Sequence, residues 1–352
     1  MLLYVFVMKN FFLRSIAIIP SLLYCWTILL RNLFFDKGYF KEQHFSQQII
    51  SVGNLSVGGT GKTPFIMYLI ELFKDQYKIA TLSRGYGRKT KGVKIAQQYD
   101  SAESIGDEPF LFYQRYHDTI TVAVAEKRVK GVEKLNESIK PEIILLDDAY
   151  QHRAIARDIN ILLTDYSSPF YKDYVLPHGR LRESRNNAKR ADIVVVTKCP
   201  KTLHNDEQQD IERNIHQYNL APVFFTYITY QKLICVHRQV NKIQKVISFS
   251  GIAKATDFED YLAQKFELIA NIRFKDHQNF GDQEIQNIIT LWEKVAHKNT
   301  VLVTTEKDWA RLKGKEHLLK DIPLYYLPIS IDFVNQKNDF LEYITTKNSF
   351  KS

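Results

Sequence analysis

Six segments of this 352-residue chain are apolar almost from end to end: QQIISVGN (Gln47–Asn54), YKIATLS (Tyr77–Ser83), TITVAVA (Thr119–Ala125), EIILLDD (Glu142–Asp148), INILLTD (Ile159–Asp165) and ADIVVVTK (Ala191–Lys198). A strand with one wet face alternates apolar and polar residues, whereas a strand covered on both faces does not. These runs are of the second kind. Helical patterns such as PFIMYLIELFKDQ and EKRVKGVEKLNES separate several of them. That alternation specifies a doubly wound, mostly parallel α/β sheet.

Past Leu220 the texture changes. APVFFTYITYQKLICVHRQV reads as two short strands, expected to form a β-ribbon over residues 221–240. A second α/β stretch follows: KVISFSGI, a helix near Asp257–Phe266, ELIANIRF, a helix near Asp282–His297, and NTVLVTTEKD. The expected division is therefore a main domain over 39–220, the ribbon, and a smaller C-terminal α/β domain over 241–352.

Residues 1–38 stand apart. SIAIIPSLLYCWTILL (Ser15–Leu30) carries no charge and is bracketed by Arg14 and Arg31. Its length, about 16 residues, falls short of the roughly 20 that a bilayer core requires. A membrane-associated helix, interfacial or marginally spanning, is expected here, with Trp26, Tyr24 and the flanking arginines at headgroup level. A buried core helix is the alternative. The net charge of +9 favours anionic partners: phosphates, nucleic acid or an anionic membrane surface. Cys25, Cys199 and Cys235 are widely spaced, with no C-x-x-C pair, which argues against a disulfide framework or a zinc site.

Chemistry concentrates first in GNLSVGGTGKTP (Gly53–Pro64), between an apolar strand and an amphipathic helix. The phosphate-binding pattern G-x-x-x-x-G-K-[ST] maps onto Ser56, Val57, Gly58, Gly59, Thr60, Gly61, Lys62 and Thr63, with Ser56 in place of the first glycine. The substitution is tolerable if that position keeps an ordinary negative φ. Gly58, Gly59 and Gly61 let the backbone curl around anionic oxygens, and the helix N-terminus adds partial positive charge. Lys62 can reach the β- and γ-phosphates, and Thr63 offers a hydroxyl to Mg²⁺. Pro64 fits the first helical turn, where its missing N–H has no intrahelical partner to lose.

Four further segments carry candidate groups. IILLDDAYQHR (Ile143–Arg153) ends an apolar strand in Asp147 and Asp148, the arrangement that sets a carboxylate beside a nucleotide's magnesium, with Gln151 and His152 close behind. Tyr150 reads as packing. SIGDEPFLF places Asp107 and Glu108 at what also reads as a helix N-terminus. LPHGRLRESRNNAKRADIVVVTK surrounds Glu183 with Arg180, Arg182 and Arg185, either a solvated surface or a phosphate-neutralising cluster. Thr197-Lys198 is like the base-contacting TKxD signal, but Pro200 stands where its aspartate would be, so guanine specificity is unsupported. FKDHQNF puts His277 beside Asp276 in the second α/β stretch.

Taken together, GNLSVGGTGKTP, SRGYGRK, GDEP, DDAYQHR, LPHGRLRES, FSGIAKATDF, FKDHQNF and TTEKDWARL follow one another in an order that resembles the tetraacyldisaccharide 4′-kinase (lipid A 4′-kinase) family across nearly the whole chain. That family usually has DDGFQH where this chain has DDAYQH, and often a proline where this chain has Ser184. Neither change touches a group with evident chemistry. The resemblance implies a P-loop NTPase-type kinase domain with a smaller C-terminal domain. It also implies ATP- and Mg²⁺-dependent phosphorylation of the 4′-hydroxyl of an acylated glucosamine disaccharide 1-phosphate, at the cytoplasmic face of the bacterial inner membrane. By matching motif, Lys62 and Thr63 bind phosphates and Mg²⁺, Asp148 and Glu183 lie near the metal, and Arg182 offsets transition-state charge. Asp107 and His277 form the pair that activates the sugar hydroxyl, with Tyr86, Glu108, Asp147, Gln151 and His152 as neighbours. With Asp107 assigned to the first domain and His277 to the second, hinge closure about Phe224–Val236 is expected to assemble the pair.

The rival reading is a membrane-recruited P-loop ATPase acting as a switch, which needs the same loop but no acceptor pair. A nucleic-acid-binding ATPase rests on net charge alone, since no basic-aromatic module is present. A monomer without nucleic-acid partners is expected.

Overall fold

The computed structural model describes residues 18–252, 254–276, 278–312 and 314–347, with backbone only at 18 and 19. In chain order the elements begin with α1 (Ile18–Asp36), β1 (Gln48–Asn54), α2 (Lys62–Phe73), β2 (Ile79–Ser83), β3 (Lys94–Ile95), α3 (Ala102–Ile105), α4 (Asp107–Tyr116) and β4 (Thr121–Val124). There follow α5 (Arg128–Ser138), β5 (Ile143–Asp147), β6 (Ile159–Asp165), β7 (Ile193–Thr197), α6 (Asn205–His216), β8 (Val223–Tyr230) and β9 (Ile234–His237). The remainder comprises β10 (Lys245–Ser250), α7 (Ala255–Lys265), β11 (Glu267–Arg273), α8 (Asp282–Val295), β12 (Thr300–Thr305), α9 (Glu306–Leu312), β13 (Leu324–Leu327), β14 (Ile329–Phe333) and α10 (Lys337–Lys347). All six apolar runs are strands.

Two compact units result. Unit 1 takes Met1–Arg84, Ala125–Ile228 and Ile331–Ser352; unit 2 takes Gly85–Val124 and Thr229–Ser330. Unit 1 is built on strands in the order β14-β8-β7-β6-β1-β5-β2. From β2 to β8 the pairings are parallel, with Val52 of β1 opposite Asp147 of β5 on one side and Ile161 of β6 on the other. Every residue of β1, β5, β6 and β7 is buried, which is why the runs are continuously apolar. Parallel strands bring their carboxyl ends to one edge, so the loops after β1, β5 and β7 gather there. The C-terminal return to unit 1 has a packing cause: Phe340 of α10 meets Phe65 of α2, Phe224 of β8 and Phe333 of β14 at ring separations of 4.8–6.0 Å.

Unit 2 has its own sheet, β11-β10-β12-β13-β9, parallel except for β9, which runs antiparallel to β13. The segment Gly85–Val124 belongs to this unit through α4 and α9. Asp107 pairs with Arg311 at 3.0 Å, Arg115 with Glu306 at 3.2 Å, and Glu108 with Lys307 at 3.8 Å. The units therefore differ from the contiguous blocks that the sequence suggests. The two strands around residues 221–240 exist, but they do not make a ribbon: β8 lies between β7 and β14, while β9 joins β13 in the other sheet.

Helix α1 inverts the usual amphipathic arrangement. Its polar side faces the body of unit 1. There the Ser21 hydroxyl donates to the Val175 carbonyl (3.2 Å), the Tyr24 hydroxyl to the Arg182 carbonyl (3.1 Å), and the Asn32 amide to Glu183 Oε2 (3.0 Å). Leu23 and Trp26, by contrast, are 65% and 69% exposed, and Leu22, Leu29, Leu30 and Leu33 are exposed with them. No described helix is long and apolar enough to cross a membrane. The buried-core-helix alternative fails on the same exposed leucines. Residues 1–17 lie outside the described residues.

Candidate active site

The loop after β1 is held open by two glycines with left-handed backbone, Gly58 (φ 107°) and Gly61 (φ 79°). Ser56 is not among the positive-φ residues of the described chain, so a side chain costs nothing there. One more glycine is obligatory: a Cβ on Gly53 would stand 2.7 Å from the Tyr150 Cβ and nitrogen. Tyr150 itself is fully buried and its hydroxyl donates to the Asn187 carbonyl at 2.7 Å, confirming the packing role.

Neighbouring segments stitch the loop in place. Val57 N–H donates to the Arg180 carbonyl (2.8 Å) and Arg182 N–H to the Leu55 carbonyl (2.6 Å), so the LRES segment runs alongside the loop. The Asn54 amide donates to Thr60 Oγ1 (2.8 Å), and the Gln151 amide to the Asn54 carbonyl (2.9 Å). From the end of β7, the Thr197 hydroxyl donates to the Thr60 carbonyl at 2.9 Å. Lys198 bonds both the Gly59 carbonyl and, at 2.7 Å, Asp165 Oδ2. The Thr-Lys pair thus braces the phosphate loop, a role its likeness to a base-reading motif did not suggest.

Charge converges on Asp148, which sits just beyond β5 in left-handed backbone (φ 48°). Lys62 Nζ is 3.5 Å from its Oδ1, and Arg182 Nη1 contacts both oxygens at 3.0 and 2.9 Å. Burial alone would raise this carboxyl; the lysine and arginine outweigh burial and hold it below the usual carboxylate range. Asp147 turns elsewhere, accepting the Ser83 hydroxyl at 3.2 Å. Glu183, expected near a metal, is wholly buried and receives Arg190 at 2.9 Å and Asn32 at 3.0 Å. In this position it anchors the segment that presents Arg182. Thr63 is buried in the first turn of α2.

Burial pushes the His152 imidazole down to about 4, with Arg128 and Arg84 adding to the effect. An unfolded histidine titrates near 6.5, so between those values the folded protein binds fewer protons, and stability falls as pH falls through that window. The loss should approach about 3 kcal/mol by the acid end. Urea unfolding across this pH range should show that slope, and His152→Gln should flatten it; an unchanged slope would assign the proton uptake elsewhere.

Unit 2 carries the other candidates. Asp107 opens α4 directly after Gly106 (φ 96°), whose missing side chain lets it approach Gly85: a Cβ there would be 3.1 Å from the Gly85 backbone. SRGYG and GDEP are thus two faces of one tight contact. Tyr86 is 91% exposed. Asp107 Oδ2 accepts from Arg311 Nε, a partner within TTEKDWARL to which the sequence assigns no role. His277 lies outside the described residues, but its neighbours Asp276 and Gln278 fall in unit 2, as Asp107 does. Asp107 and the residues on either side of position 277 thus fall in one unit, where the sequence reading assigns them to two domains. Among the described residues no group of three or more His, Cys, Asp or Glu could hold a metal. Cys25, Cys199 and Cys235 are free thiols.

The sequence pattern of the family described as Tetraacyldisaccharide-1-P 4′-kinase matches residues 13–349. A tetraacyldisaccharide 4′-kinase of Flavobacterium johnsoniae is 43% identical over 342 residues, covering 94% of this chain and 97% of that one. The protein of the same description in Flavobacterium psychrophilum is 44% identical over 338 residues, covering 94% and 95%. Among solved structures, the "apo" form of LpxK from Aquifex aeolicus in complex with ATP is similar with a TM-score of 0.75 and 32% identity, over 95% of this chain and 99% of that one.

Proposed function

The chain belongs to the tetraacyldisaccharide-1-P 4′-kinase family, and we propose that its unit 1 site holds ATP for transfer of the γ-phosphoryl group to the 4′-hydroxyl of a tetraacyldisaccharide 1-phosphate, a step of lipid A synthesis. The observation that carries this reading is the convergence of Lys62 and Arg182 on Asp148 beside the braced glycine loop. Two cations aimed at one point suit the charge that spreads over the transferred group's equatorial oxygens. Thr63 and a charged Asp148 supply oxygen donors only, a set that fits Mg²⁺ completed by phosphate oxygens and water. Such an ion, when bound, neutralises charge on the β- and γ-phosphates.

A sugar hydroxyl is not ionised at neutral pH, so its proton needs an acceptor as the new O–P bond forms. The acceptor pair in this reading is Asp107 with His277, the imidazole taking the proton and the carboxylate orienting it. The test is direct: label from the γ-position of ATP should appear in a tetraacyldisaccharide 1-phosphate acceptor. Label found only in free phosphate would leave the ATPase switch.

The acylated substrate also accounts for α1. Its outward leucines and Trp26, together with the +9 charge, suit an anionic phospholipid surface on which the helix lies rather than spans. The protein should sediment with phosphatidylglycerol vesicles, and Leu23→Ser with Leu30→Ser should leave it in the supernatant while the exposed positions spare the fold. Undiminished sedimentation of that variant would remove α1 from membrane contact.

A further inference from the structure

Arg311 is nearly inaccessible, its side chain 2% exposed, and it stands between two carboxylates of contrasting character. Asp308, itself 0% exposed, accepts Arg311 Nη1 at 3.1 Å. Asp107, 35% exposed, accepts Arg311 Nε at 3.0 Å. The same Nη1 donates to the Gly251 carbonyl at 3.1 Å, while Gly251 N–H donates to Asp308 Oδ2 at 2.9 Å. Thr305 completes the bracket, its hydroxyl donating to Asp308 at 2.7 Å. Gly251 in turn abuts the following loop: a Cβ there would lie 3.0 Å from the Lys275 carbonyl and 3.1 Å from the Gln278 Cβ. One buried guanidinium thereby links the start of α4 to the turn after β10 against which the residues flanking position 277 pack.

We propose that Arg311 is a positioning residue for the acceptor half of the reaction, fixing the Asp107 carboxylate relative to the turn after β10. A buried guanidinium requires compensating charge, and Asp308 supplies it from the interior. Asp107 then completes a planar fork whose directions are set by the other two contacts, which holds its carboxylate in one orientation while leaving it accessible. A lysine would keep the charge and lose the fork. The inference rests on the kinase reading above and adds to it the element that orients the Asp107 carboxylate.

The experiment compares Arg311→Lys in the wild-type and Asp107→Asn backgrounds, reading label transfer from ATP to the lipid acceptor. In the wild-type background kcat should fall about thirtyfold, with KM for ATP nearly unchanged. In the Asp107→Asn background the same substitution should cost almost nothing further, because the group through which it acts is already lost. Equal losses in both backgrounds, or an unaffected kcat, would overturn the positioning role. Should Arg311→Lys fail to fold, Asp308→Asn loosens the same bracket from its other end and is held to the same background dependence. A wild-type protein that labels no lipid would overturn the kinase reading and this inference with it, whereas normal wild-type transfer with additive losses overturns the inference alone.

Discussion

Replacing Lys62 with methionine should lower kcat for lipid phosphorylation by about a thousandfold, equivalent to about 4 kcal/mol of transition-state stabilisation. The size of the effect follows from where the ammonium sits. It is 8% exposed at the first residue of α2, 3.5 Å from Asp148, in surroundings that screen charge poorly. Methionine fills nearly the same volume, so packing is spared, and Asp148 retains Arg182 at 2.9 Å. What disappears is the cation that the proposed mechanism directs at the transferring phosphoryl group. Nucleotide affinity should weaken far less than turnover, because the glycine loop and the α2 N-terminus still present their backbone amides. Binding of a non-hydrolysable ATP analogue, set beside single-turnover label transfer, separates the two. Equal losses in binding and turnover would make Lys62 a ground-state anchor with no share in the chemical step.

The second large effect should come from the acceptor pair. Asp107→Asn and His277→Ala should each lower kcat by about a hundredfold to a thousandfold, in the range expected for a removed general base. Both substitutions leave the Lys62–Asp148–Arg182 cluster of unit 1 unaltered, so KM for ATP should stay within about twofold. The double variant should be little worse than the poorer single one, since a base without its orienting carboxylate, or the carboxylate without the base, has already lost the function of the pair. Multiplied losses would show two independent roles. A near-normal kcat in either single variant would remove that residue from the mechanism.

Much of unit 1 was legible because its central strands are covered on both faces, a condition written locally as runs of Ile, Leu and Val. The phosphate loop was legible for a similar reason: its chemistry is confined to a few consecutive residues, and the backbone angle at Ser56 is one that any residue adopts. What the sequence hid depends on partners far apart in the chain. The membership of Gly85–Val124 in unit 2 is decided by α4–α9 ion pairs such as Asp107–Arg311, separated by 204 positions, which no periodicity records. The enclosure of Glu183 by Arg190 and by Asn32, 151 positions away, is likewise unmarked in the sequence. The expected ribbon failed because two adjacent short strands carry no mark saying that they pair with β7 and β13 rather than with each other. Helix α1 was legible as apolar, but not as a helix whose few polar residues are its attachment points.

The return of Ile331–Ser352 to unit 1 also bears on how the chain is made. Domains generally acquire structure in the order in which they are synthesised. Here the Phe340 ring that packs against Phe65, two positions beyond Thr63 in the helix that begins at Lys62, is translated only after all of unit 2. A nascent chain would therefore expose the apolar back of its phosphate loop until the intervening unit had been completed. It gains a closed core behind the nucleotide site only when translation has passed α10. Full-length synthesis is in this sense a precondition for a finished phosphate loop.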